Sequence, residues 1–443
     1  MSQSVVSTRE KIGYGLGDTA CNLVWQTVML FMAYFYTDVF GLSPAHMGTM
    51  FLAVRAIDAV IDVCIGAIAD RTRTSRGQFR PYILWFAIPF GVVCTLTFYT
   101  PDFGYTGKLV YAYVSYALLS IIYSAINVPY CAMINNISKD SRERVSLQSW
   151  RFAFSALGGL IVSVAALPLV KYIGKGNIQE GYFYTMMIIG SLSIVFFYIC
   201  FSTTHERYIS PLDETKTSIW DDFKILCKNN DWRIMFTLNI VNLVAVLFKG
   251  GSILYYCNYV LKSPELSSWL MSAIIISGFF GALLSSRIFK GIDKVKGFNY
   301  AMLLEALLLV LVYFVPPTMI WIVFALVIII NFIQVAATPL QWSMISDVVD
   351  CLEQESGRKL SGIVFSTNLF AIKLGIAIGG ALIGWILAWN GYVGGVAVQS
   401  EQASEAISLL FTVYPAVLVA LLVLIMKKYS LNDLKVNALA KTL

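Results

Sequence analysis

The sequence predicts an all-α integral membrane protein of about twelve transmembrane helices, arranged as two six-helix halves. Three observations carry this expectation. Of 443 residues, 58% are apolar and only 13% charged, with a mean hydropathy of +0.72, whereas a water-soluble domain carries about 25% charge. The apolar residues collect into runs near the ~20 residues that cross ~30 Å of hydrocarbon. The basic residues recur on alternate loops, as the positive-inside rule requires. A soluble enzyme is thereby excluded, and the ~10-residue alternation of a closed β-barrel is absent.

In chain order the predicted spans cover 14–37, 44–69, 82–100, 108–135, 149–172 and 181–202, then 233–261, 267–289, 298–315, 319–346, 362–388 and 405–426. Lipid offers no partner to an open backbone group, so each run is expected to be helical. The polar stretch 203–232 divides the chain into an N-terminal bundle (1–202) and a C-terminal bundle (233–430), followed by a tail at 431–443. Basic loops at 70–80 and 287–296 follow the second helix of each half, which marks the halves as repeats. With the N-terminus in the cytoplasm, roughly two dozen of the 32 basic residues fall on inner loops and only Lys108, Lys171, Lys175 and Lys262 on outer ones. That places the central loop and both termini in the cytoplasm, as expected of a multi-pass protein of the cell inner membrane.

The formal net charge of +6 is accounted for by these loops, so no nucleic-acid partner is expected. None of the eight cysteines forms a CxxC pair, and the two histidines, His46 and His205, sit in predicted loops. Neither a disulfide framework nor a zinc site is indicated. The first residues lack the basic–apolar–small pattern of a cleaved signal peptide. There is no Walker A, HExxH or GxSxG motif, so no cofactor and no enzymatic activity are expected, and any pumping must draw on an ion gradient.

The informative residues are the polar ones inside apolar runs, since a charge at the bilayer centre costs about 3 kcal/mol on insertion scales. The second helix reads FLAVRAIDAVIDVCIGAIAD and carries Arg55, Asp58 and Asp62 on one face. Asp58 and Asp62 are one turn apart, a rise of about 6 Å. Two carboxylates so close at low dielectric need a cation or a proton between them, which is what a coupling-ion site provides. The alternative is a helix-packing ion pair with Arg55, which leaves the second acid uncompensated. The fourth helix supplies Tyr123, Ser124, Asn127 and Cys131 around Val128-Pro129. This is either a packed kink with asparagine bonding across helices, or freed carbonyls that meet a ligand. Arg151 opens the fifth helix, either snorkelling to the interface or donating to sugar hydroxyls or an acid.

The first helix adds Cys21, Asn22 and Gln26 after GYGLGD, and the second half adds Lys249, Glu305, Gln341, Trp342 and Lys373. Arg55, Arg151, Lys249 and Lys373 against Asp58, Asp62 and Glu305 leave an excess of about one positive charge. That excess leans toward a substrate with acidic groups, or a polyhydroxyl ligand that satisfies basic donors.

Several stretches are similar to the glycoside–pentoside–hexuronide:cation symporter family: YGLGD, FYTDVFGL, IDAVID, DRTRTSRGQFRPYIL, INVPYCAM, SDVVDCLEQESGRKLSG and KLGIAIGGALIGW. The resemblance runs nearly end to end. It implies a major-facilitator fold and co-transport of a sugar or glycoside with a cation; a monomer in the lipid bilayer is expected. Carried over by position, Asp58 and Asp62 match the family's paired cation-site aspartates, and Ser124 matches a hydroxyl that adds an oxygen ligand. Arg151 and Tyr123 match sugar-site residues, and Lys373 a lysine near the cation site. Asn22, Asn127, Cys131, Lys249, Gln341 and Trp342 complete the candidate substrate set.

Two departures bear on specificity. The two sugar-binding aspartates of the melibiose-carrying members fall on Asn22 and Asn127, and their tryptophan on Cys131, which disfavours galactoside-type recognition. Glucuronides, other acidic sugars and pentosides become the expected cargo. The residue between the aspartates is Ile61, which offers no oxygen to sodium, whereas a proton needs one carboxylate. Proton coupling is therefore expected, with Asp58 and Asp62 as metal ligands only if sodium is the ion. Two other readings fit a twelve-helix protein: a cation-coupled lysolipid carrier, against which the polar Asn22, Asn127 and Arg151 argue, and an uncoupled facilitator or membrane sensor.

Overall fold

A computed structural model describes residues 6–208, 219–263, 266–393, 398–433 and 435–436. Within them the chain forms two compact units, Met1–Phe223 with Leu352–Ser366, and Lys224–Cys351 with Thr367–Leu443. The first unit contains α1 (Thr8–Tyr34), α2 (Pro44–Arg71), α3 (Arg80–Thr97), α4 (Tyr105–Ala132), the short α5 (Ile134–Ile137), α6 (Ser141–Gly174) and α7 (Ile178–Thr203). The remaining helices are α8 (Ile219–Lys228), α9 (Asn230–Tyr255), α10 (Leu266–Ile288), α11 (Lys294–Phe314), α12 (Ile320–Ser356), α13 (Ser361–Trp389), α14 (Glu401–Phe411) and α15 (Val413–Met426). Ten segments of the described residues are long and apolar enough to cross a membrane. Helices α1 and α2, which carry Asp18, Asp58 and Asp62, are as long but fall outside that set.

The helices begin where local chemistry starts them. Ser7 accepts the Glu10 N–H at 3.2 Å, and Ser43, followed by Pro44, accepts that of His46 at 3.3 Å. Asp140 accepts the Glu143 N–H at 2.8 Å, so α6 starts at Ser141, ahead of the predicted 149. A reading that follows apolar runs stops at the first polar turn, but a capped polar turn is still helical. For the same reason α12 continues to Ser356, past the predicted 346.

Two further differences have local causes. The expected span 405–426 is broken at Thr412 into α14 and α15. Pro415 has no N–H to offer the carbonyl of Phe411, so the ladder is interrupted there. The expected central loop contains α8, whose IWDDFKILCK is amphipathic rather than long; residues 209–218, including Lys216, lie outside the described residues, as do the Arg55 side chain and most of the tail with Lys441.

The repeat is visible in the backbone. The first helix of each half, α1 and α9, runs into one π-helical turn, at Phe35–Val39 and at Tyr256–Val260. Close crossings use small residues. An added Cβ at Gly91 would lie 2.7 Å from the Gly190 carbonyl oxygen, where α3 meets α7. In the first unit, Gly66 of α2 and Gly362 of α13 leave no room for a Cβ on either.

Candidate functional site

Helix α4 presents Ser120, Tyr123, Ser124, Asn127 and Cys131 at spacings of three and four, so they share one face. At its upper end, the hydroxyls of Ser120 and Ser124 donate to Asp58 Oδ1 at 2.7 and 3.0 Å. Asp58 and Asp62 are both buried, at 2% and 1% exposure. A buried carboxylate is tolerated only with donors or a cation around it, and here α4 supplies two of them. Trp25 of α1 stacks on Tyr123 with ring centroids 5.1 Å apart. Beside Ser120 the two rings border a hollow of about 10 Å³, close to the ~10–15 Å³ that holds one water.

The lower part of the face meets α1 and α6. Arg151 is 4% exposed, and its Nε lies 3.5 Å from Oδ1 of Asp18, itself 4% exposed. Its other nitrogens reach Cys131 Sγ at 3.2 Å and Gln148 Oε1 at 3.4 Å, and its guanidinium sits 5.4 Å from the Tyr130 ring centroid. Arg151 is thus deep in the bundle, not snorkelling, and its charge is met by a carboxylate. Asn22 donates to the Asp18 carbonyl at 3.0 Å, one turn away, and is half-buried. Asn127 Oδ1 faces two thiols, Cys21 Sγ at 3.9 Å and Cys131 Sγ at 3.7 Å. Thiols are weak donors, so that amide retains capacity for a stronger partner. The first unit therefore links Asn127 through Cys131 to Arg151, and Arg151 to Asp18, whose backbone carbonyl holds Asn22.

The second unit holds the rest of the expected set. Lys249 of α9 pairs with Glu305 of α11, which is fully buried, and also donates to Gln334 Oε1 at 2.8 Å. Gln341 of α12 donates to Asn239 Oδ1 at 2.6 Å and accepts from Asn242 Nδ2 at 3.0 Å. Trp342 is buried, and Lys373 is half-buried on α13. The expected excess of positive charge is reduced by Asp18, which the sequence count omitted because nothing placed it opposite Arg151. Ser120 and Trp25 were also missed; Ser120 carried a readable signal, one turn before Ser124 on the Asp58-facing side.

At the end of the first unit that carries the loop 71–80, Asp70 accepts the N–H groups of Gly362 at 2.6 Å and Ile363 at 3.0 Å, in the first turn of α13. A carboxylate there is favoured by the open amides and the helix dipole. Arg71 and Arg358 share Asp222 at 2.7 and 3.3 Å, and Lys359 donates to Asn136 at 3.2 Å. Glu206 takes the N–H groups of Gln78, Phe79 and Arg80, at 2.7–2.9 Å, where α3 begins. The basic loops at 71–80 and 139–144 are thus built into ordered networks, with Arg144 wholly buried.

Buried acids in a helical membrane protein, one of them held by two hydroxyls of a neighbouring helix, mark an ion or substrate pathway. The model of the MFS/sugar transport protein family matches residues 13–433. The chain is 47% identical over 438 residues, covering 99% of it and 95% of the relative, to the "Putative glycoside/cation symporter YagG" of Escherichia coli (strain K12). It is 32% identical to the isoprimeverose transporter of Lactiplantibacillus pentosus over 450 residues, 99% of this chain and 92% of the relative. Its fold is similar to that of the major facilitator transporter FucP in the outward conformation, with a TM-score of 0.71 at 11% identity, covering 96% and 100% of the two chains. The chain belongs to the MFS/sugar transport protein family, among the glycoside–pentoside–hexuronide:cation symporters. It is a multi-pass membrane protein of the major-facilitator fold, a sugar transport protein by family and not an enzyme.

Proposed function

We propose that the protein carries a neutral, pentose-containing glycoside into the cell together with a proton, by alternating access across the inner membrane. The observation that supports a neutral cargo is the ion pair between Arg151 and Asp18. An acidic sugar would have to displace or tolerate the Asp18 carboxylate at low dielectric, where like charges repel strongly. Hydroxyls carry no such cost, and Asn22, Asn127 and Arg151 offer donors and an acceptor to them. The isoprimeverose-carrying relative is consistent with this choice.

Protonation of Asp58 or Asp62 removes a buried charge, which favours the sugar-loaded, reorienting state over the empty one, and that difference is the coupling. Ile61 supports the proton, since it adds no oxygen between the two acids. One observation favours sodium as a second reading: the hydroxyls of Ser120 and Ser124 lie beside Asp58 and provide oxygens of the type a hard cation takes. The loops at 71–80 and 139–144, with Asp70 and Asp222, act in this reading as the cytoplasmic gate.

Competition of unlabelled sugars against uptake of radiolabelled isoprimeverose in membrane vesicles tests the cargo. Xylosides are expected to compete at least tenfold better than matching glucuronides or sulfo-sugars, since about 1.4 kcal/mol of charge repulsion already gives that factor. Equal or better competition by the acidic sugars overturns the reading.

A further inference from the structure

Away from the first-unit residues proposed to serve sugar and cation, the second unit contains a partly open cavity of about 230 Å³ between α9, α10, α11, α12 and α14, which takes in Lys249 of the expected substrate set. Its walls are apolar, among them Ile274, Val312, Val327 and Phe411; the polar side chains, Lys249, Asn331 and Gln334, come from α9 and α12 alone. Most of the wall is apolar, so a water there has only Lys249, Asn331 and Gln334 among the lining side chains as partners. A dry cavity of about 150 Å³ is enough for benzene. This one has room for a ring and a few further atoms.

The polar residues set the chemistry of the occupant. The Lys249 ammonium gives one hydrogen to Glu305 and one to Gln334. An ammonium has three donors, and the third meets no acceptor among the described residues. Lys249 and Glu305 together are neutral, so a carboxylate on the ligand would leave a net negative charge in a low-dielectric core. Next to Lys249, Gly250 also lines the cavity, and a Cβ added there would touch nothing within 4 Å. We infer that this cavity is a second ligand site, for a small neutral molecule with an apolar body and one hydrogen-bond acceptor that takes the free hydrogen of Lys249.

The test uses the full-length protein in lipid nanodiscs and fluorine NMR of three probes, 4-fluoroacetophenone, 4-fluoroethylbenzene and 4-fluorobenzoate. Saturable binding is separated from lipid partitioning by displacement with unlabelled acetophenone. The ketone is expected to bind saturably, about tenfold tighter than the hydrocarbon that lacks its acceptor, and the benzoate not to bind. Val312→Phe fills the cavity and Gly250→Leu fills the open space beside Lys249. Each is expected to abolish the saturable ketone signal while the protein melts no lower, and if one variant fails to fold the other decides. Absence of saturable ketone binding in the unmodified protein overturns the inference. So do equal affinities for ketone and hydrocarbon, benzoate binding as tight as the ketone's, or a signal that persists in a folded, filled variant.

Discussion

Substituting Asp18 with asparagine keeps the side-chain volume and leaves the Arg151 guanidinium without its carboxylate. Both groups are about 95% buried, and breaking such a pair costs about 3–5 kcal/mol. Asp18→Asn should therefore melt well below the unmodified protein in detergent. Because the exposed deficit is a positive charge, a glucuronide should restore part of that loss by binding, while a neutral xyloside should restore less. A variant stabilised equally by both sugars would show that Asp18 does not set the charge of the site. Asp18 also marks the limit of what the sequence discloses about single residues. Asp58 and Asp62 are legible because their relation is local, four positions along one helix. The Asp18–Arg151 pair joins two helices far apart in the chain, and no spacing rule reports a contact of that kind. Lys249 and Glu305 were both legible as charges out of place, but that they face each other was not.

Among the helices, the contact most sensitive to a single methyl group is that of α2 with α13. Gly66→Ala would drive a Cβ into the backbone of Gly362, and backbone cannot yield as a flexible side chain can. Transport by Gly66→Ala should fall more than tenfold, because the displacement also pulls Asp70 from the amides of Gly362 and Ile363. Gly48→Ala in the same helix meets nothing within 4 Å and should transport normally. Its helix gains about 1 kcal/mol in propensity. Initial uptake rates at matched expression in the membrane provide the comparison; normal rates in Gly66→Ala would remove the crossing from the account. At this scale helix existence was legible and helix ends were not. Hydrophobic runs reported lipid contact, so the capped extension at Ser141, the break at Thr412 and the amphipathic α8 were invisible to them.

For the whole molecule, the positive-inside rule leads to the expectation that both termini and the central segment lie in the cytoplasm. Cys227, on α8, and Cys64, on α2, are the exposed cysteines among the described residues. In a Cys64→Ser background, a membrane-impermeant maleimide should label Cys227 in inside-out vesicles and not in right-side-out ones; the reverse pattern would invert the topology. The two-half organisation was legible from the repeated basic loops, and the paired π-helical turns at Phe35–Val39 and Tyr256–Val260 are its backbone counterpart. The direct measure of function is the steady-state accumulation of labelled isoprimeverose in right-side-out vesicles, under an imposed pH gradient or an imposed sodium gradient, for the unmodified protein and for Asp58→Asn. An alkaline interior should drive uphill accumulation in the unmodified protein, a sodium gradient alone should not, and Asp58→Asn should only equilibrate the sugar. Accumulation by Asp58→Asn equal to that of the unmodified protein would contradict the assignment of the buried acids as the coupling site, and accumulation driven by sodium alone would contradict the proton.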